Sequence, residues 1–542
     1  MKLANVVRGG RVVGVMVLFT LLSMRPAYAG GVVGSGTPGS CTEAALNTAL
    51  SGGGTVTFNC GAAPHTIPIS VKTIVANTTI NGGGKITLDG QNAERLFVVN
   101  GGVTLTLRNI ILTKGFSFVD GGAIFNNGTL TLENSTIRNS QAGGSGGAIV
   151  SYGPLTITNS RLENNQALNG GALYPRFSNA QTTIIDSVLY NNRATDTATN
   201  GWGGAILAWD GAPVTLQNTD VYSNSAWEGG GIFNHTNSIL LVENNTRLRN
   251  NRAFEAGGIF NYYGGTLTTT NVIFSQNVAT NANGGGLFNN GTATLNHVTF
   301  SGNRTGSQGG GVFNYIGTTM LTNATLSGNI ADGSGGGIEN FSGTTTLINV
   351  TLTDNSSLSI GAGGGGISNF DTVNLTNVTF SGNSTTALGG GLYNLLGIST
   401  LTNATFNGNS AGLNGGGIYR GSGTVSVKNS IVANSPSGGN CVGIITNAGF
   451  NLANDNTCGF NNVPNVMLGP LANNGGPTQT HLPQSGSPAI DFVALGCPPP
   501  ATDQRGGARP VNGDGVGGAA CDAGAVEYGA AVAKVYIPLV LK

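Results

Sequence analysis

Apolar and polar positions alternate in short runs along most of the chain, as in TLTLRN (104 to 109), LTITN (155 to 159) and TLTNATF (400 to 406). Alternation in runs rich in Thr, Val, Ile and Leu is the pattern of half-buried β-strands. No stretch of the array offers ten residues of helical periodicity. A second, longer period is superimposed. A glycine pair leads into an apolar residue at Ile124, Ile149, Leu173, Ile206, Ile232, Ile259, Leu287, Val312, Ile338, Ile367, Leu392 and Ile418, with steps of 24 to 33 residues. A unit of this size cannot bury an apolar face alone, so self-similarity at this period predicts a solenoid of stacked units. With strands as its contents, the solenoid is all-β. The prediction is a right-handed parallel β-helix of about 13 coils, each rising ~4.8 Å, with disulfide-stapled caps.

Two polar columns fit this geometry. One runs through Asn109, Asn134, Asn159, Asp186, Asn218, Asn245, Asn271, His297, Asn323, Asn349, Asn377, Asn403 and Asn429; six residues later a second runs from Asn165 to Asn409. Asn tolerates the left-handed backbone of a sharp corner and hydrogen-bonds to its own kind on the next coil. The columns are therefore read as structural corners.

Composition narrows the partners. Glycine supplies 91 of 542 residues, yet it is phased with the strands and belongs to turns. With 23 basic and 23 acidic residues, the chain lacks the footprint of a nucleic-acid binder. Neutral hydrogen-bonding partners, polysaccharide or a cell-surface protein, suit a surface of Thr, Asn, Ser and aromatics, bound by a monomer. Residues 1 to 29 read as a signal peptide: Lys2, Arg8 and Arg11 precede the apolar run Val12 to Leu22, and Ala27-Tyr28-Ala29 is the cleavage site. No later segment is apolar enough to predict a transmembrane helix. Six cysteines in an exported chain suggest local disulfides Cys41 with Cys60, Cys441 with Cys458, and Cys497 with Cys521. No cofactor or metal site is expected. Thr42 to Leu50 reads as a capping helix. The expected organisation is signal 1–29, N-terminal cap and leading coils 30–100, repeat array 101–435, C-terminal cap 436–528 and an apolar tail 529–542.

GGAI at 121 to 124, with Phe-x-x-Asn at Phe274 to Asn277, Phe300 to Asn303, Phe380 to Asn383 and Phe406 to Asn409, is similar to the paired motif of polymorphic outer membrane proteins. The run GPLANNGGPTQTHLPQSGSPAID, followed by TDQRGGARP and CDAGAVEY, resembles the choice-of-anchor Q domain that closes many bacterial β-helix proteins of the pectin-lyase-like fold. The resemblance implies a secreted or cell-surface scaffold, adhesin-like, and carries no catalytic activity with it.

Candidate chemistry concentrates where the repeat is irregular. The three Trp, at 202, 209 and 227, fall in or beside the longest step, from Leu173 to Ile206, and RATDTATNG (193 to 201) is expected to bulge there as a loop. Asp196, Asp210, Asp220 and Glu228 lie in the same stretch. Such rings form either a sugar-stacking platform or the filling of a widened core. Three residues after each marker stand Tyr152, Trp209, His235, Tyr262, Tyr315, Phe341 and Phe370, a stripe that either self-stacks or binds an extended polymer. The ligand-binding candidates are Trp202, Trp209, Asp210, Trp227, Glu228, Tyr262 and Tyr315. No catalytic residue is assigned: acids are scattered, only four His occur, and the Asp-Asp, Asn-Thr-Asp and His-Gly motifs of polygalacturonases are missing. The rival reading is a polysaccharide lyase or glycoside hydrolase, built from acids of neighbouring coils near the Trp bulge.

Overall fold

The structure, a computed structural model, describes residues 30–196 and 201–532. The expected signal peptide, the centre of the expected bulge and the KVYIPLVLK tail lie outside the described residues.

One coil shows how the pattern folds. Strand Leu287–Asn289 is followed by Thr292–Ser301, which bends at its middle, and then by Arg304–Thr305 before the next glycine run. Each strand pairs in parallel with its equivalent one coil on: Leu287 with Val312, Thr292 with Thr318, Arg304 with Ile330. Repetition gives three ladders of 15, 27 and 12 strands, the 27-stranded one taking two strands from many coils. The marker residues lie on the 15-stranded ladder, which therefore has slightly more rungs than the thirteen coils expected. Rungs without a glycine-marked residue are Lys72–Ile74, Phe97–Val99 and Cys441–Val442. Cys441 pairs with Ile418, so coiling continues beyond 435.

The corners follow from single residue types. Every member of the first polar column, from Asn109 to Asn429, has φ between 44° and 65°. At the second corner the left-handed residue is one position earlier, as at Asn164, Asn191, Ser223 and Asn250, and the column Asn itself turns inward and is buried. Asn303 is typical. Its backbone N–H and Nδ2 both donate to Asn329 Oδ1, at 3.0 and 2.9 Å, and Nδ2 also donates to Phe274 O at 2.9 Å. A third ladder, Asn234, Asn261, Asn289, Asn314, Asn340, Asn369 and Asn394, closes the ends of the marker strands, with Nδ2 to Oδ1 distances of 2.7 to 3.0 Å. The glycine pair serves two purposes. Gly146 has φ 70°, and a Cβ on Gly147 would lie 2.2 Å from Gly171 O on the next coil.

Marker residues and the Phe of each Phe-x-x-Asn fill the interior. Phe274 stacks on Phe300 with centroids 4.5 Å apart, and Phe380 on Phe406 at 4.2 Å. At the front, helix Glu43–Leu50 is capped by Thr42, whose side chain accepts from Ala45 N–H, and it buries Leu46 and Ala49 against the first coils. Lys72, buried at a rung position, pairs with Glu43 of that helix. The three disulfides join Cys41 to Cys60, Cys441 to Cys458 and Cys497 to Cys521.

The C-terminal segment folds back along the flank of earlier coils. Gln504 is fully buried there: Nε2 donates to Val350 O, Thr351 Oγ1 and Thr478 Oγ1 at 3.2, 2.8 and 2.9 Å, while Oε1 accepts from Thr379 Oγ1 at 2.7 Å. Behind it, Arg505 pairs with Asp503 at 2.7 Å and Arg509 with Glu527 at 3.1 Å, all four buried. Among the described residues no helix is long and apolar enough to cross a membrane.

Candidate functional site

The irregular coils between Leu173 and Ile259 carry most of the candidate residues on two separate ladders. On the outer side of the 15-stranded ladder, residues one past the marker form a second apolar layer of Val150, Tyr174, Leu207, Phe233, Phe260, Phe288 and Phe313. Trp202 and Trp209 pack on it. Their rings stack at 5.2 Å, Trp209 stacks on His235 at 3.6 Å, and His235 on Tyr262 at 5.2 Å. Trp209, His235 and Tyr262 stand on successive coils with their planes within 20° of parallel and turn their faces to each other, while Trp202, on the coil of Trp209, packs beside them at 5.9 Å from His235. The stripe is therefore a self-stacked ladder along this stretch. The coil of Asn290 separates it from a second stack, in which Tyr315 meets Phe341 at 5.6 Å and Phe341 meets Phe370 at 5.9 Å. Asp210 sits on an exposed corner with φ 59°.

Trp227 belongs elsewhere. It lies in strand Ser225–Glu228, which pairs in register with Arg252–Glu255. Its ring lies on Phe254 with centroids 4.1 Å apart and planes 4° apart. Both rings line an open cleft of about 520 Å³ whose walls include Asn191, Arg193, Arg252 and Asn281. Arg193 and Arg252 flank Ser225 on the two adjoining coils.

Glu228 takes the register opposite Glu255 on one side and Trp202 on the other. Two carboxyls on adjacent coils, half-buried, repel one another, so burial first and the Glu255 charge second push Glu228 up to about 7. Glu255 is raised as well, chiefly by burial, although Asn283 Nδ2 donates to it at 3.4 Å. The Trp202 indole N–H acts on the Glu228 carboxyl without closing a bond of regular geometry. The pair offers one carboxyl that holds a proton near neutrality beside another, the minimum for acid–base work on a glycosidic bond.

Sequence reasoning passed over Phe254, Glu255, Arg193 and Arg252. A signal was present: Phe254-Glu255 follows Trp227-Glu228 by 27 residues, the step from Ile232 to Ile259. A further acid, Glu339, stands between Phe313 and Ser368 in the outer apolar layer, fully buried and pushed up to about 8 by that burial.

Residues 98–305 match the family described as "Right handed beta helix region". Among solved structures, the catalytic unit of a thermostable GH87 alpha-1,3-glucanase from Streptomyces thermodiastaticus strain HF3-3 is similar at 17% identity, with 77% of this chain and 69% of that chain covered and a TM-score of 0.34. Among curated proteins, none matches. The family match and the three parallel ladders define a right-handed parallel β-helix protein.

Proposed function

We propose that this β-helix is an exported or cell-surface scaffold, adhesin-like, that binds polysaccharide without turning it over. The observation that supports this best is the cleft beside the Trp227–Phe254 stack, where aromatic surface, two Asn side chains and two guanidinium groups converge on one open site. Aromatic surface beside hydrogen-bonding side chains suits sugar rings, which carry apolar C–H faces and hydroxyl edges. The reading places the contact at Trp227, keeps Trp202, Trp209 and Tyr262 as the rigid support of the neighbouring coils, and leaves Tyr315 to the second stack farther along the rod. The C-terminal segment, with its TDQRG and CDAGAVEY motifs, would serve as the choice-of-anchor Q-like part of the scaffold. A glycan-array screen of the mature protein, followed by calorimetry on the hits with Trp227→Ala, tests it. Retained fold with binding lost on that substitution is the expected result; unchanged affinity would sink it.

A second reading has its own observation, the in-register Glu228–Glu255 pair. It makes the protein a glycoside hydrolase with Glu228 as proton donor and Glu255 as the opposing carboxylate. Release of reducing sugar from a bound glycan, abolished by Glu228→Gln and by Glu255→Gln, would establish it in place of the first.

A further inference from the structure

We infer that the Trp227 cleft selects an anionic glycan, one bearing about one negative group per disaccharide, held by Arg193 and Arg252. The inference rests on the glycan-binding reading and adds the charge and spacing of the ligand.

The argument begins with the column on which these arginines stand. On the 12-stranded ladder Arg193 pairs with Ser225 and Ser225 with Arg252, so the two guanidinium groups rise from coils two steps apart, ~9.6 Å at the usual strand spacing. Farther along the same column Arg304 is neutralised by Asp332 at 2.6 Å. Arg193 and Arg252 form no salt bridge with an acid among the described residues. In a chain with only 8% charged residues, two such cations in one cleft are a local concentration of positive charge. The nearest acids in the pairing register, Glu228 and Glu255, are half-buried, and Glu228 stands beside Trp202.

The rings fix where the sugar runs. Trp227 and Phe254 lie on the two adjacent coils between and beside the arginines, and all four side chains line the cleft. A chain laid along the rod would run past the edges of this stack, and negative groups on alternate residues would fall near one guanidinium and then the next. A planar guanidinium matches carboxylate and sulfate alike, with paired N–H donors. The shared chemistry is therefore an anionic group of either kind, repeated at disaccharide spacing.

Calorimetry of the mature protein with three oligosaccharides of equal length tests this: hyaluronan, its carboxyl-reduced neutral form, and κ-carrageenan. The inference expects hyaluronan, carrageenan or both to bind, the neutral form to bind at least about tenfold more weakly, and affinity to fall as NaCl is raised. Carboxylate and sulfate are distinguished by which of the two anionic chains binds. Arg193→Gln and Arg252→Gln, both exposed and expected to leave the fold intact by circular dichroism, should each weaken binding about tenfold. Equal binding of the neutral and charged hyaluronans would overturn the charge selectivity and leave the glycan-binding reading standing. Binding of neither anionic chain, alongside a neutral hit on the array, overturns it too. No binding of any glycan overturns both readings together.

Discussion

The imidazole of His235 lies 3.6 Å from the Trp209 indole, centroid to centroid, with planes 18° apart. Tyr262 extends the stack on the next coil, and Trp202, 5.2 Å from Trp209 and 5.9 Å from His235, packs against its side. A ring whose faces are covered by neighbours has only an edge to offer a sugar, so this stack contributes chiefly to packing. Trp209→Ala should lower stability by about 2 kcal/mol, read as a shifted urea midpoint, while Trp227→Ala shifts it less. A Trp209→Ala protein with unchanged midpoint and lost glycan binding would return that ring to the ligand.

The interior Asn column makes a sharper prediction. Asn303→Ala removes bonds to Asn329 and Phe274 O and leaves the Asn277 donors without their acceptor. Buried donors left unpaired cost more than the bond itself contributed, so a loss of about 3 kcal/mol is expected. Hydrogen exchange should localise it to the coils of Phe274 and Asn329. A loss below half a kcal/mol would mean that water replaces the amide.

Stability should depend on pH in an unusual direction. Burial lifts Glu228 and Asp522 to about 7 and Glu339 to about 8, against ordinary values of 4.5 for Glu and 3.8 for Asp. The folded protein then holds protons that the unfolded chain releases, so stability falls as pH rises from about 4.5 to about 8. Glu43 acts oppositely. Bonds from Lys72 and Ser70 hold it at about 2, and its contribution is present above 4.5 and lost as pH falls toward 2. The melting temperature should therefore peak near pH 5, and Glu339→Gln should flatten the alkaline side. Equal melting temperatures at pH 5 and pH 8 would contradict the assignment.

Glycine substitutions should divide by what a Cβ would meet. At Gly147 it would strike a carbonyl oxygen on the next coil, whereas at Gly39 nothing lies within 4 Å. Gly147→Ala should cost about 2 kcal/mol and Gly39→Ala close to nothing, as read by thermal melting. Comparable melts for the two variants would show that the coil spacing relaxes to admit a methyl group.

Much of the fold was legible because a solenoid writes its contacts into its period. Ile232, Ile259 and Leu287 are successive markers in sequence and successive partners in space. The corner Asn were legible for the same reason, since left-handed backbone selects few residue types. The third Asn ladder was less visible: Asn234 and Asn261 follow a Phe in Ile-Phe-Asn and read as strand ends until the side chains are seen to bond from coil to coil. The Glu228–Glu255 pair was half legible: its 27-residue offset equals the step from Ile232 to Ile259, but only the settled register shows that the two acids face each other. Nothing in the period could place Gln504 beside Thr351, a contact spanning 153 residues.

Most solenoids transmit strain only between adjacent units. Here the Gln504 side chain bonds to the coils of Val350 and Thr379, and His481 reaches Ser381 at 3.0 Å. Tension applied at the C-terminal end would be delivered in shear to the coils of Ile338 and Ile367, inside that end and across several coils at once, before it could peel the last rung. A tether attached to that end would then hold like a lapped seam, whose strength grows with the length of the overlap.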